Sequence, residues 1–176
     1  MSEQRPRKLI SIVTGCYNEE HNLEELYTRI KAVFDKLPSY DWEVVIADNC
    51  STDNTRDVLR KLAAADKRWK VILNSNNFGV IRSGHNALLH TRGDAVVSMC
   101  SDLQDAPEMI PEFIHRWEDG YKVVCAVKAT TKENFLMASV RRFYYFLLSK
   151  FSEIRLVNNF YGFGLYDRQA IDAVKK

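Results

Sequence analysis

The sequence predicts an α/β domain with a doubly wound, mostly parallel sheet and helices on both faces. Short β-branched apolar runs alternate along the chain with segments of helical apolar spacing, as expected when a crossover helix follows each parallel strand. The connections are short, and neither an internal repeat nor a linker rich in Gly, Ser and Pro interrupts them. A single domain over residues 1–176 is therefore expected.

The first strand and the first helix differ in the spacing of their apolar residues. The run KLISIVT ends at Gly15 and predicts a buried strand. The next segment, NEEHNLEELYTRIKAVFDKLP, keeps helical apolar spacing until Pro38, and Asn18 is predicted to cap it. WEVVIAD predicts the second strand, and STDNTRDVLRKLAAAD predicts a capped helix after it.

The same alternation continues through the middle of the chain. KVILN predicts the third strand, followed by a helix across IRSGHNALLHT. DAVVSM predicts the fourth strand and APEMIPEFIHRWEDG its helix, with Asp105 and Glu108 spaced as a capping box. KVVCAV predicts the fifth strand.

After Val127 the alternation stops. TTKENFLMASVRRFYYFLLSKF predicts a long, aromatic and basic helix, and NNFYGFGLYD predicts a strand. RQAIDAVKK opens a helix, and the sequence ends within it. A helix interrupted in this way predicts that the domain is truncated at its C-terminus.

The composition excludes several functional classes. Of the 176 residues, 46% are hydrophobic and 27% charged, which suits a soluble domain with a core. A net charge of +2 gives no indication of a nucleic-acid partner. No run approaches the ~18 apolar residues that span a bilayer. The four cysteines lack CxxC spacing and the four histidines are scattered, so neither a zinc site nor a disulfide framework is expected. This cysteine usage predicts a reducing, cytosolic setting.

Polar and acidic residues follow the first four predicted strands, in the ranges 14–19, 48–53, 76–82 and 102–105. In open parallel sheets, ligands bind beyond the carboxyl ends of the strands. None of the four ranges contains GxGxxG or a P-loop, which disfavours a dinucleotide-binding domain or an NTPase. Carboxylates and amides instead suit a nucleotide whose phosphates are held through a metal.

The stretches SIVTGCYNEE, VVIADNCSTDNT, NFG and SDLQDAPE, in this order and spacing, resemble family 2 of the inverting GT-A glycosyltransferases. The branch they resemble contains the dolichyl-phosphate mannosyltransferases and the bacterial polyisoprenyl-phosphate glycosyltransferases. The resemblance runs from about Leu9 to Asp172. It implies a Rossmann-like, GT-A nucleotide-diphospho-sugar transferase fold and a metal-dependent hexosyltransferase. A UDP- or GDP-sugar donor and a site at the cytoplasmic face of the membrane are also implied.

The resemblance implies roles for individual residues at the nucleotide. Tyr17 and Glu19 would contact the nucleotide, and Asp48 would bond to its base. A structural alternative exists for two of them, because Asp48 could cap a turn and Tyr17 could be a packed aromatic residue. The other nucleotide-binding positions implied are Thr14, Asn49, Ser51, Asn77, Gly79 and Arg82.

The metal site is implied by SDLQDAPE. Asp102 and Gln104 would hold Mg²⁺ or Mn²⁺ on the diphosphate, and Asp102 and Asp105 are the candidate catalytic carboxylates. For Asp105, the role of helix cap is the favoured alternative. Cys100 stands where many relatives have Asp, and the loss of one carboxylate predicts a metal bound weakly or only together with substrate.

The predicted acceptor is a polyprenyl phosphate. Gly162 and Gly164 stand where many relatives carry an acid and an Arg, so no general base is evident before Asp167. A phosphate monoester has a second pKa of about 6, so it is already an anionic nucleophile at neutral pH. An acceptor of this kind needs little help from a base.

The segment SVRRFYYFLLSKF supplies the features that such an acceptor needs. Arg141 and Arg142 would contact its phosphate, and a basic aromatic helix would lie at the membrane surface. The alternative is that these aromatic side chains only pack on the sheet. Two other functions remain open, a polysaccharide or glycan acceptor and a non-catalytic binder of nucleotide sugars.

Overall fold

The structure, a computed structural model, describes residues 7–127 and 160–174. Its strands form one sheet and are β1 (Lys8–Cys16), β2 (Tyr40–Asp48), β3 (Trp69–Leu73), β4 (Ala95–Ser98), β5 (Val123–Val127) and β6 (Phe160–Asp167). Their order across the sheet is β3-β2-β1-β4-β6-β5. β1 pairs in parallel with β2 and β4, and β2 with β3, whereas β6 runs antiparallel to β4. The predicted, mostly parallel sheet is confirmed.

The helices in the described part are α1 (Leu23–Phe34), α2 (Thr55–Ala65), α3 (Val80–Leu89), α4 (Ile110–Glu118), preceded by a 3₁₀ turn at Pro107–Met109, and α5 (Arg168–Val174). Trp42 of β2 stacks on Phe34 of α1, with ring centroids 5.3 Å apart. Val45 and Ala47 pack with Ala87 of α3. Because successive side chains of a strand point to opposite faces, α1 and α3 cover opposite faces, which confirms the prediction.

The two central strands are buried on both faces. Ile10 and Ile12 of β1, with Val44, Val45 and Ile46 of β2, have no exposed surface. Strands covered by helices on both sides are expected to be apolar almost throughout. This explains why both strands could be located from their sequence.

A polar cluster of buried groups joins β1, β2 and β4 at the start of β4. Oε1 of the buried Glu43 accepts hydrogen bonds from Ser11 Oγ, at 2.7 Å, and from Arg92 N, at 2.8 Å. Burial acts to raise the pKa of Glu43, but an ion pair with Lys70 and these hydrogen bonds hold that pKa below its ordinary value. Gly93 N donates to Ser11 Oγ at 2.7 Å. Glycine is needed here, because a Cβ atom would lie 2.6 Å from Ser11 N.

The predicted cap of the first helix is wrong. α1 begins at Leu23, and Asn18 lies in the preceding loop with a φ of 57°. Asn18 Oδ1 accepts a hydrogen bond from Thr52 N at 2.9 Å instead. The Asn18 side chain therefore ties the loop after β1 to the loop after β2. Because Thr52 N occupies this oxygen, Asn18 does not cap the helix.

The predicted capping box of Asp105 and Glu108 is also wrong. The 3₁₀ turn and α4 have no side-chain cap. Glu108 forms a two-pronged ion pair with Arg29 of α1, at 2.7 and 2.9 Å. Asp105 Oδ2 turns back to accept from Cys100 N at 2.7 Å. Both carboxylates bind groups that sequence spacing does not place near them.

The chain divides into two compact units, Met1–Val124 with Phe163–Lys176, and Cys125–Gly162. Of the second unit, the structure describes Cys125–Val127 and Phe160–Gly162. The predicted basic aromatic helix lies outside the described residues, and a single domain over residues 1–176 stays a prediction. Among the described helices, none has both the length and the hydropathy needed to cross a bilayer.

Candidate functional site

The carboxyl ends of the parallel strands lie side by side. Cys16, the last residue of β1, pairs in register with Asp48, the last residue of β2. Backbone hydrogen bonds continue past the strands, from Asn49 N to Cys16 O at 2.9 Å and from Asn74 N to Asp48 O at 3.0 Å. The loops that follow β1, β2 and β3 therefore start from one edge of the sheet.

Asp48 is the anchor of the loop between β2 and α2. Its side chain is fully buried, and Oδ2 accepts from Arg56 Nε at 2.6 Å. The same carboxylate accepts from Ser51 N at 3.2 Å and from Cys50 N at 3.2 Å. Cys50 has a φ of 66°, and this left-handed residue lets the chain fold back over the carboxylate. Asp48 thus orders the loop, and its contact with a base stays a prediction.

Asn49 joins this loop to the one after β3. Its Oδ1 accepts from Phe78 N at 2.9 Å, and its Nδ2 donates to Asn77 Oδ1 at 2.7 Å. Asn77 Oδ1 also accepts from Gly79 N at 3.0 Å. The structure therefore brings together Asn49, Asn77 and Gly79, three of the predicted nucleotide-binding residues. Gly79 has a φ of 80°, which suits glycine at the residue before α3.

The loop after β1 is tied to the start of α2. Asn18 N donates to Ser51 Oγ at 3.0 Å, and Glu19 N donates to Thr55 Oγ1 at 2.8 Å. The predicted nucleotide-binding residue Ser51 therefore already uses its hydroxyl to hold this loop. Tyr17 is 45% exposed, so its ring is open to solvent rather than packed in the core.

Two further nucleotide-binding predictions have contrasting surroundings. Thr14 is buried, and its hydroxyl donates to the Gly15 carbonyl at 3.3 Å. Arg82 lies in the first turn of α3, and its exposed side chain makes no ion pair with any described residue. Arg82 is therefore available to an anion, while the Thr14 side chain is not. Arg141 and Arg142, the predicted acceptor-phosphate residues, lie outside the described residues.

The loop after β4 carries the predicted metal ligands. Asp102 Oδ1 accepts from Gln104 N at 3.1 Å, around Leu103, which has a φ of 63°. Ser101 Oγ donates to Gly15 O at 3.0 Å, which holds this loop against β1. Asp105 is buried, and its Oδ1 has no hydrogen-bond partner among the described residues.

The residues of this loop fit a divalent metal in part. Asp102 and Gln104 offer the hard oxygen ligands that Mg²⁺ and Mn²⁺ prefer, and the unpartnered Asp105 Oδ1 belongs to the same loop. Within residues 7–127 and 160–174, no three or more His, Cys, Asp or Glu side chains converge as a metal-binding group. Two protein ligands fit a metal that takes its remaining ligands from a phosphate and water.

The thiols at this edge are poor nucleophiles. Partial burial, with Asp105 and Asp102 nearby, raises the pKa of Cys100 to about 11. Burial, with Asp48 and Glu19 nearby, raises the pKa of Cys16 to about 12. Both thiols are neutral at physiological pH, which argues against a redox or nucleophilic role.

No free general base is visible on β6. Gly164 pairs with Ser98 of β4. Asp167 is buried and accepts hydrogen bonds from Trp117 Nε1 at 2.7 Å, Lys122 Nζ at 3.2 Å and Gln169 N at 2.9 Å. Asp167 is a structural residue in this arrangement. The expectation that this stretch offers no base is consistent with its described residues.

Sequence reasoning missed Arg56 and the role of Asn18. Arg56 binds Asp48 and also donates to the Asn74 carbonyl, so it joins the ends of β2 and β3. Its position one residue into α2 gives no local sign of either bond. The only signal in the sequence is that this arginine lies in the first turn of the helix that follows Asp48, the acidic residue at the end of β2.

Comparison with known proteins identifies the family of this chain. The model of glycosyl transferase family 2 matches residues 11–175. An uncharacterized glycosyltransferase of Bacillus subtilis, YkcC, is 35% identical over 167 residues, which are 94% of this chain and 51% of the relative. The bactoprenol glucosyl transferase of Shigella phage SfX is 30% identical over 167 residues, 94% of this chain and 54% of the relative. The chain thus spans about half the length of the curated relatives it matches.

Solved structures share the fold. The mannosyltransferase PcManGT from Pyrobaculum calidifontis, in complex with GDP-Man and Mn²⁺, has a TM-score of 0.64 at 22% identity, over 98% of this chain and 47% of that one. Glucosyl-3-phosphoglycerate synthase from Mycobacterium tuberculosis, in complex with UDP, has a TM-score of 0.62 at 22% identity, over 92% and 57%.

Proposed function

The chain belongs to glycosyl transferase family 2 and has the GT-A fold, and from this premise we propose that it transfers a sugar to polyprenyl phosphate. The donor is a UDP- or GDP-linked sugar, and the anomeric carbon is inverted. Mg²⁺ or Mn²⁺ assists, and the reaction takes place at the cytoplasmic face of the membrane. The bactoprenol glucosyl transferases among the relatives support the acceptor class.

The observation that supports the donor site best is the shared anchoring of the loops at one sheet edge. Asp48 holds the loop after β2, Asn49 joins it to Asn77, and Ser51 joins it to the loop after β1. A nucleoside diphosphate would lie across these loops with Tyr17 exposed beside it. Fixed loops lower the ordering cost of binding.

The reaction follows from the two partners. An acceptor phosphate oxygen attacks the anomeric carbon, and the bond from that carbon to the diphosphate oxygen breaks, so that the nucleoside diphosphate leaves with the electron pair. Asp102 and Gln104 would hold the divalent cation, which supplies charge neutralisation on the leaving diphosphate. The exposed Arg82 would attract the phosphates of the donor. Inversion follows from a single displacement.

The acceptor prediction rests on Arg141 and Arg142. Assayed at its full native length, the protein should transfer labelled sugar to polyprenyl phosphate, and the product should partition into organic solvent. Arg141→Ala with Arg142→Ala should slow transfer by about tenfold or more, since two charge-assisted phosphate contacts are lost. Donor affinity should stay unchanged. Transfer to a free hydroxyl acceptor, with none to polyprenyl phosphate, would exclude the lipid acceptor.

A non-catalytic binder of nucleotide sugars is the second candidate. Two features favour it: Cys100 stands where many relatives have Asp, so the predicted metal loop has one carboxylate fewer, and no general base is evident before Asp167. Donor turnover separates the two candidates, since a binder would bind the nucleotide sugar without consuming it or releasing the nucleoside diphosphate.

The metal should bind only with the diphosphate. Asp102 and Gln104 give one carboxylate and one amide, which form a poor cage alone. Titration of Mn²⁺ into the nucleotide-free protein should show weak binding, and addition of UDP or GDP should strengthen it. Asp102→Asn should abolish that strengthening. Tight Mn²⁺ binding without nucleotide, or full transfer in excess EDTA, would contradict the prediction.

A further inference from the structure

The outward side of α3 is unusual in its side chains. The helix buries only Ser83 and Ala87, whereas Val80 and Ile81 are 81% and 83% exposed. Among residues 7–127 and 160–174, these two are the most exposed large hydrophobic side chains. A surface helix normally turns its large apolar side chains to the core. The first turn of α3 instead leaves two branched side chains in solvent, whereas Leu88, near the end of the helix, packs against the core.

Other exposed apolar side chains extend this feature. Phe78 and Leu89 are about half exposed, and together with Val80 and Ile81 they form what is called the α3 surface below. Ile81, His85 and Leu89 are spaced four residues apart, so they lie along one line on the helix. His85 separates Leu89 from Ile81 on this line, so the exposed apolar side chains cluster at the start of α3, at Phe78, Val80 and Ile81. An exposed apolar cluster of this kind indicates a binding surface.

The chain around the α3 surface lacks negative charge. Residues 67–93 contain five Lys and Arg residues and neither Asp nor Glu. Arg68 and Lys70 already pair with acids from outside this range. The side chains of Arg82 and Arg92 are exposed and form no ion pair with the described residues. The α3 surface therefore combines aliphatic side chains with uncompensated positive charge.

The α3 surface begins at the candidate donor loops. Phe78 N donates to Asn49 Oδ1, and Gly79 N donates to Asn77 Oδ1. The first turn of α3 is thus fixed to the edge of the sheet where the donor is proposed to bind. Anything that contacts Val80 and Ile81 lies next to that edge.

We propose that the α3 surface binds an anionic phospholipid bilayer, with Val80 and Ile81 among the upper acyl chains and Arg92 at the headgroup phosphates. Branched aliphatic side chains favour hydrocarbon, and unpaired cations favour anionic headgroups. A second copy of the chain fits less well, because a two-fold interface sets the same cations against each other. The bilayer contact itself does not depend on the proposed function. Its purpose does rest on that function, because the contact would bring a lipid-borne acceptor beside the donor.

The test uses the 176-residue chain and vesicles that contain phosphatidylglycerol and phosphatidylcholine in equal amounts. Val80→Ser with Ile81→Ser should lower the partition coefficient by about tenfold, because two inserted side chains lose their apolar contact. Val174→Ser in α5 is the matched control, since Val174 is 65% exposed in a different helix, and it should leave binding unchanged. Thermal unfolding of each variant shows that the fold is intact.

Two further measurements locate the contact. Arg92→Gln should weaken binding to the mixed vesicles and leave binding to pure phosphatidylcholine unaltered. Hydrogen exchange of the α3 amides should slow when mixed vesicles are added. Equal vesicle binding by the serine double variant, or unchanged exchange in α3, would overturn the proposal. So would a dimer in sedimentation that the double variant dissociates, because the occupant would then be a second copy.

These outcomes are independent of the sugar transfer. Calorimetry with UDP or GDP tests the donor site without lipid. Vesicle binding that depends on Val80 and Ile81 in a protein that binds no nucleotide would leave the bilayer contact standing and remove the proposed function. Nucleotide binding without vesicle binding would do the reverse.

Discussion

Asp48→Ala is expected to lower the free energy of unfolding by about 2–4 kcal/mol, because it leaves the amides of Cys50 and Ser51 without their acceptor. Both amides donate to this carboxylate at 3.2 Å. The Arg56 side chain is 30% exposed, so water replaces part of its lost ion pair. Thermal or urea unfolding measures the loss.

The same change should weaken nucleoside diphosphate binding by about 1.5–3 kcal/mol, the scale of a charge-assisted hydrogen bond. The loss has two possible origins, a direct bond from Asp48 to the base or the order that Asp48 gives to the loop. Calorimetry with UDP, GDP and CDP, at a temperature where the variant is folded, measures it. Unchanged affinity would remove Asp48 from the donor site.

Arg56→Gln is the matched control that separates these origins. It removes the cation and leaves the Asp48 carboxylate in place. If Asp48 bonds to the base, only the Asp48 variant should lose the preference among UDP, GDP and CDP. If Asp48 only orders the loop, both variants should weaken all three nucleotides in parallel.

Gly93→Ala is expected to lower the free energy of unfolding by about 3 kcal/mol, the upper end of the typical cost of overpacking. Its Cβ atom would lie 2.6 Å from Ser11 N and 2.7 Å from the Ala95 carbonyl. These are backbone atoms of two paired strands, so the sheet must shift to make room. The shift also disturbs the hydrogen bond from Arg168 Nε to the Gly93 carbonyl.

Gly84→Ala is the matched control for added size. Gly84 lies inside α3, and an added Cβ atom would meet nothing within 4 Å. Alanine in a helix interior is favoured over glycine by about 0.5–1 kcal/mol, so this variant should gain stability. Urea unfolding of both variants gives the comparison. A Gly93→Ala protein as stable as the parent would show that β1 and β4 are not held as closely as described.

The elements that sequence reasoning located share one property, an apolar pattern set by burial. β1 and β2 are covered on both faces, so their β-branched runs stand out. The capping predictions at Asn18 and Asp105 failed because each side chain found a partner in three dimensions, Thr52 for Asn18 and the Cys100 amide for Asp105. Local spacing gives no information about such partners.

The candidate site was predictable as a set of loops and less so as a set of contacts. Parallel strands place their following loops at one edge, so the polar ranges after β1 to β4 were expected to meet. The ion pair of Asp48 with Arg56 and the requirement for Gly93 depend on how two elements approach each other. The sequence around Gly93 is no different from that of an ordinary turn.

The place of β6 between β4 and β5 bears on how the protein is made. During synthesis, β1 to β4 leave the ribosome in an order that lets each find its neighbour, but the second edge of β4 must wait for β6. At about 5–20 residues per second, that edge stays unpaired for several seconds. An unpaired edge invites pairing with another nascent chain. Translation stalled between residues 98 and 163 would therefore leave an aggregation-prone intermediate for chaperones to protect.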